Sequence, residues 1–172
     1  MRTRVLMATL CAVLLGSCGT GTEEAAPDDE PPPAALDEGS GEHLTYQPDA
    51  IDWQDGPASL PAGTQFAVLE GDPAEAGPFT MRVKFPDGLS IPPHWHPGTE
   101  RVTVLSGLFH LGSGEEFDRD AATRLDAGSY ISLPAEMRHY AFAEGETIIQ
   151  LNSIGPWGIE YVNPEDDPRG EQ

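Results

Sequence analysis

Pro93-His94-Trp95-His96 carries two imidazoles one residue apart. In an extended segment alternate side chains share a face, so His94 and His96 point one way and Trp95 the other. Two imidazoles so placed can share a metal ion, although two histidines in a strand also occur simply as a polar face. Glu100 follows after Pro97-Gly98-Thr99, a turn that can bring its carboxylate back to the same centre. A third imidazole is available from His139, which ends Leu133-Pro134-Ala135-Glu136-Met137-Arg138-His139. Imidazole and carboxylate together suit coordination of one divalent ion.

The elements around these residues read as short strands. Residues 64–69, 79–85, 101–105, 108–111, 130–133, 140–143 and 147–151 are rich in β-branched and aromatic types. Gly, Pro, Asp or Ser separate most of them, as in Gly71-Asp72-Pro73, Pro86-Asp87-Gly88 and Ala143-Glu144-Gly145. Such a pattern predicts an all-β sandwich or barrel, jelly rolls included. Residues 120–125 read equally as a short helical turn or as loop. Phe79, Phe85, Phe109, Phe142 and Trp157 are the expected filling of the barrel. The folded region is predicted to span 43–163, followed by an exposed tail over 164–172.

The fixed positions sharpen this reading. Gly88, five residues, His94, one, His96, three, Glu100, six, Gly107 resembles the first motif of the cupin superfamily. Gly128, five residues, Pro134, one, Glu136, two, His139 resembles the second. The family usually has Gly where Glu136 stands and often Asn where Ala143 stands; neither position holds metal in the family. The chain thus resembles small single-domain bacterial cupins. The resemblance implies an antiparallel jelly-roll β-barrel of six to eight strands, with His94, His96, Glu100 and His139 holding one metal ion inside. Gly88, Gly107 and Gly128 are expected at strand-end turns that need positive φ.

Three histidines and a carboxylate leave open positions on a six-coordinate ion for water, dioxygen or a chelating small-molecule ligand. Fe, Mn, Zn, Ni or Cu are all candidates, with Fe and Mn suiting the ligand number better than Zn. One function class is a mononuclear metal enzyme, oxygenase-like, acting on a small oxygenated molecule. The other is a non-catalytic metal- or ligand-binding, sensing module; the fold hosts both. Candidates for contacts to a substrate are His110, Gln150 and Asn152. Glu136 and Tyr140 are further possibilities, although Tyr140 alternates against His139 and is expected to face away. A histidine placed like His110, between apolar residues, is more often a packed or outward-facing one, and Gln150 and Asn152 share a face that either lines the cavity or meets solvent. Arg101 and Arg138 adjoin ligands and either cap the pocket mouth or form surface ion pairs.

The N-terminal segment follows other rules. Arg2 and Arg4 precede an apolar run over 5–15, too short to span a bilayer, and Leu15-Gly16-Ser17-Cys18 resembles a bacterial lipobox. Residues 1–17 are therefore expected to be a signal peptide, with Cys18 lipidated and the exported protein held at a membrane through that anchor. Residues 18–42 read as a disordered acidic, Pro- and Gly-rich tether. Losing Arg2 and Arg4 takes the formal charge from −20 to −22, which opposes nucleic acid as a partner. Cys11 and Cys18 are the two cysteines, so the mature chain has no internal disulfide. Edge-strand pairing into a homodimer is the expectation for such a barrel.

Overall fold

A computed structural model describes residues 43–171. The signal segment, Cys18 and the acidic tether expected from the sequence lie outside the described residues. Nine strands form: β1 Gln54–Asp55, β2 Gln65–Glu70, β3 Gly77–Phe85, β4 Ser90–Trp95, β5 Glu100–Ser113, β6 Thr123–Asp126, β7 Tyr130–Leu133, β8 His139–Gly155 and β9 Glu160–Tyr161. Every pairing is antiparallel.

β5 and β8 run side by side for almost their whole length, from Arg101↔Asn152 to Ser113↔His139. Each belongs to two neighbourhoods. The C-terminal part of β8 pairs with β3, which leads on to β2 and β1, while the start of β5 pairs with β7. The N-terminal part of β8 pairs with β4 and so with β9, while the end of β5 pairs with β6. The sheet therefore curls on itself as an antiparallel jelly-roll barrel, and apolar side chains from both halves meet in one core. Along β3, Phe79, Met81, Val83 and Phe85 are buried at alternate positions, as period-two patterning requires. They pack with Val102, Val104, Phe109 and Leu111 of β5 and with Ile149 and Leu151 of β8. Each such side chain contributes about 1.5–3 kcal/mol when fully buried.

Strands expected to be separate prove continuous. Residues 101–105 and 108–111 merge in β5, and 140–143 and 147–151 merge in β8. Gly107 sits within β5, not at its end, where the register shifts between Ser106 and Leu108. Its φ is +79°, and a Cβ there would collide with the Glu146 carbonyl and Thr147. Thr147 is fully buried, and its Oγ1 accepts from the Leu108 N–H at 3.1 Å. A bulge that keeps pairing while sharpening the twist thus replaces the predicted turns.

Two other expectations change. The segment read as helical turn or loop supplies β6, whose Thr123–Asp126 pairs with Leu108–Leu111; an available sheet edge overrides weak local preference. The tail stays largely exposed, as expected, and carries two short 3-10 turns, Pro164–Asp166 and Pro168–Glu171, with Arg169 donating to the Ile159 carbonyl at 3.2 Å. Phe142 lies on the outer side of the barrel, its ring 4.3 Å from His110 and nearly parallel to it, with the Arg119 guanidinium 4.2 Å away. Tyr140 shares that side and donates to the Asp118 carbonyl at 2.6 Å. The 114–122 segment covers these residues, which explains why 139–143 are buried on both faces.

Candidate metal centre

β4 delivers His94 directly opposite His139, the first residue of β8. His96 lies just past the end of β4, and its carbonyl accepts from the Glu136 N–H at 2.8 Å. Glu136 reaches that position with φ +61°, the left-handed conformation that explains why glycine would suit it. Glu100 opens β5 beside Leu133. Three residues of the 94–100 stretch and the remote His139 are thereby brought together, and all four are buried. Trp95 points the other way, with the Arg138 guanidinium 5.7 Å from its ring.

Backbone carbonyls fix the three imidazoles. His94 Nδ1 lies 2.7 Å from Pro92 O, His96 Nδ1 2.7 Å from Gly158 O, and His139 Nδ1 2.9 Å from Met137 O. A carbonyl oxygen can only accept, so each Nδ1 carries the proton and each Nε2 keeps its lone pair. Ring nitrogens of His94, His96 and His139 lie within 4.8 Å of one another. The Glu100 Oε2 sits 3.5 Å from His96 Nε2 and 3.3 Å from His139 Nε2. Electron pairs therefore face one another across a small buried space, an arrangement that calls for a cation between them.

Burial works against protonation of two of the imidazoles. Burial, reinforced by the neighbouring rings of His139 and His96, pushes His94 down to about 3. Burial also lowers His96. For Glu100 burial acts upward, but His96, His139 and His94 together outweigh it and hold the carboxyl down to about 2. Neutral imidazoles with a carboxylate are the forms in which these side chains ligate metal. The three histidines could hold a divalent ion, and the donor chemistry of the site fits one.

Two residues that support the site escaped the sequence reading. Trp157, expected only to fill the barrel, stacks on His96 with ring centroids 4.2 Å apart, and its backbone N–H donates to Pro73 O at 2.7 Å. Gly158 acts through its carbonyl, and a backbone group leaves no signal in residue type.

A cavity of about 410 Å³ adjoins the centre. His94, His96, Glu100 and His139 line it together with Phe66, Met81, Val83, Phe109, Leu111 and Ile149, among others. The expected substrate contacts are not brought there. In β8 it is Ile149 and Leu151 that face the cavity, so strand alternation turns Gln150 and Asn152 outward. Arg82 Nε donates to Gln150 at 3.4 Å and Asn152 donates to Thr80 at 2.7 Å. His110, flanked by the inward Phe109 and Leu111, pairs outside with Glu144 at 3.2 Å. Tyr140 faces away from the histidine cluster, and Glu136 and Arg101 are exposed. Arg138 pairs with Glu115 at 3.7 Å on the surface.

Residues 41–156 match the family described as the ChrR cupin-like domain. The chain belongs to that family. This cupin is also similar to several solved structures. The polyketide cyclase RemF from Streptomyces resistomycificus aligns with TM-score 0.60 and 17% identity, covering 74% of this chain and 91% of that one. KdgF from Halomonas sp. aligns with TM-score 0.51 and 24% identity over 67% of this chain and 96% of that one. Both likenesses speak to the fold. An oxalate oxidase is 27% identical, with TM-score 0.50, over 72% of this cupin and 66% of that chain. No curated protein matches the sequence.

Proposed function

We propose that this cupin binds one divalent metal ion through His94, His96, Glu100 and His139 and acts as a mononuclear metal-dependent enzyme, oxygenase-like, on a small oxygenated molecule. The observation that carries the reading is the convergence of three carbonyl-fixed imidazoles and a buried carboxylate beside a cavity. A divalent ion there would supply Lewis acidity and a template for oxygen donors. The protein's own part is orientation and exclusion of water. Pro92, Gly158 and Met137 carbonyls hold the rings, and the apolar wall keeps bulk solvent from the reacting group. The 27% identity to an oxalate oxidase supports oxygen-dependent chemistry. The exported, lipid-anchored placement follows from the lipobox resemblance at Cys18 and belongs to the same proposal.

One observation favours the second reading, a binding or sensing module without turnover. Apart from the four proposed ligands, Asp72 is the one titratable side chain lining the cavity among the described residues, and it is exposed with its Oδ1 accepting from the Ala74 N–H at 2.8 Å, so no buried general acid or base stands beside the proposed ligands. The full-length chain, purified and assayed by elemental mass spectrometry beside its His139→Ala variant, tests the site. About one equivalent of metal, lost in the variant, supports it; equal metal in both overturns it. Dioxygen uptake with small diols and phenols by the metal-loaded chain would separate the enzyme from the sensor.

A further inference from the structure

The walls of the cavity say more about its ligand than the centre does. We infer that the site takes an amphiphilic, monoanionic chelator: a compact head offering two oxygen atoms, joined to an apolar aliphatic or aryl body. The inference deepens the metal-dependent reading above and rests on it for the head group alone.

Three features carry it. The cavity wall is built from inward-facing side chains of both halves of the barrel, among them Met81, Val83, Phe85, Phe109, Leu111 and Ile149. None of these offers a hydrogen bond, and beyond the proposed ligands Ser59, Asp72 and Trp157 are the described residues that bring polar side-chain atoms to the lining, so a hydroxyl or amide held against the apolar wall would lose its water without replacement, a cost of about 1–3 kcal/mol for each group. Sugars, sugar acids and nucleotides are thereby disfavoured. Secondly, a cavity of this volume has room for a body on the order of ten non-hydrogen atoms beyond the head.

Thirdly, the charges fix the head. A divalent ion less the single Glu100 carboxylate leaves one net positive charge. Among the described residues no Lys or Arg lines the cavity, and Asp72, an exposed carboxylate, adds a negative charge to its lining. A monoanion is neutralised there, whereas the second charge of a dianion has no partner. The strongly acidic chain opposes entry of a dianion further.

Hydroxamates test this, because one bidentate monoanionic head can carry different bodies. Octanohydroxamate, acetohydroxamate and gluconohydroxamate are titrated into the manganese-loaded full-length chain by calorimetry, with Trp emission followed in parallel and metal content measured on the same sample. Each buried methylene is worth roughly fourfold in affinity, so octanohydroxamate should bind at least about thirtyfold tighter than acetohydroxamate. Gluconohydroxamate should bind no tighter than acetohydroxamate. Met81→Gln and Val83→Thr, which hold volume while adding a polar group, should each weaken octanohydroxamate about tenfold and leave acetohydroxamate unchanged. Equal affinity for the three probes, or tighter binding of the polyhydroxylated one, overturns the proposal while metal retention leaves the centre standing. If the chain holds no metal, the metal reading fails by itself. The apolar body is then read on the metal-free chain, where 1-octanol must quench Trp emission at concentrations at which 1-butanol does not; equal potency overturns it.

Discussion

Trp157 lies almost flat on the His96 imidazole, the two rings 18° from parallel with centroids 4.2 Å apart. The next residue, Gly158, accepts the His96 Nδ1 hydrogen, and the Trp157 N–H is itself held by Pro73. One short segment therefore sets both the plane and the tautomer of a proposed ligand, and it ties that imidazole to the 72–74 segment that helps line the cavity.

Removing the stack should loosen the ligand without deleting it. Trp157→Ala is expected to weaken metal affinity about tenfold, within the range seen when groups that orient ligands are lost. Trp157→Phe keeps a ring on the imidazole and should retain most of the affinity. Competition with a fluorescent chelator reads both. Unchanged affinity in Trp157→Ala would mean that the carbonyl contact alone orients His96.

The ligands themselves separate by their contribution. The double variant His94→Ala and His96→Ala should hold no stoichiometric metal, since it leaves one imidazole and one carboxylate. Glu100→Gln keeps the shape and removes the charge, so it should fold normally and lose about 10- to 100-fold in affinity, against complete loss in the double variant. Full affinity in Glu100→Gln would reduce the centre to its three imidazoles.

The gathering of His94, His96 and Glu100 was legible because local spacing survives folding: β4 preserves the alternation that puts His94 and His96 together, and the turn returns Glu100. Much of the strand pattern was legible for the same reason, since period-two burial leaves a direct trace in residue type. The bend was not. Gly107 and Gly145 look like turn residues, and only the long β5–β8 pairing makes them positions within continuous strands. The facing of Gln150, Asn152 and His110 stayed open in the sequence because a polar residue in a strand has two faces available, and sequence does not say which one the curled sheet turns inward. Phe142 was misplaced: the segment that covers it comes from 114–122, a contact no local pattern announces.

Acid should destabilise the metal-free chain earlier than ordinary carboxylate titration would. His94 stays neutral when folded down to about 3 but takes a proton near 6.5 when unfolded. Between those values the unfolded state binds more protons, so stability falls as pH drops. Glu100 adds the same sign lower down: its contribution is complete above about 4.5 and is lost as pH falls towards about 2. With roughly 1.4 kcal/mol for each unit, the His94 window alone is worth on the order of several kcal/mol. Urea midpoints of the chelator-treated chain, read by Trp emission at pH 7.5 and 4.5, should differ clearly, and His94→Gln should flatten the difference. A midpoint that does not change over this range would show that the imidazole protonates in the folded state.

Membrane attachment has its own test. If the lipobox proposal holds, Cys18→Ser removes the thiol that would carry the lipid, and the protein should move from the membrane to the soluble fraction. Mature protein that still fractionates with membranes would refute the lipobox reading while leaving the metal centre untouched.

Two positions of positive φ should respond oppositely to substitution. Gly107→Ala places a Cβ against the Glu146 carbonyl and Thr147 and strains a backbone at φ +79°, so a loss of about 2–4 kcal/mol is expected. Glu136→Gly relieves a non-glycine residue at φ +61°. Left-handed geometry costs a residue with a Cβ about 1–2 kcal/mol, and the extra freedom of glycine in the unfolded chain returns about 0.4–1 kcal/mol of that. The net gain should be a few tenths to about 1 kcal/mol, measured as a shift in urea midpoint. Because the Glu136 N–H anchors the His96 carbonyl through the backbone, metal affinity should not change. A stability loss in Glu136→Gly would mean that the side chain, although exposed, makes a contribution larger than the strain it imposes.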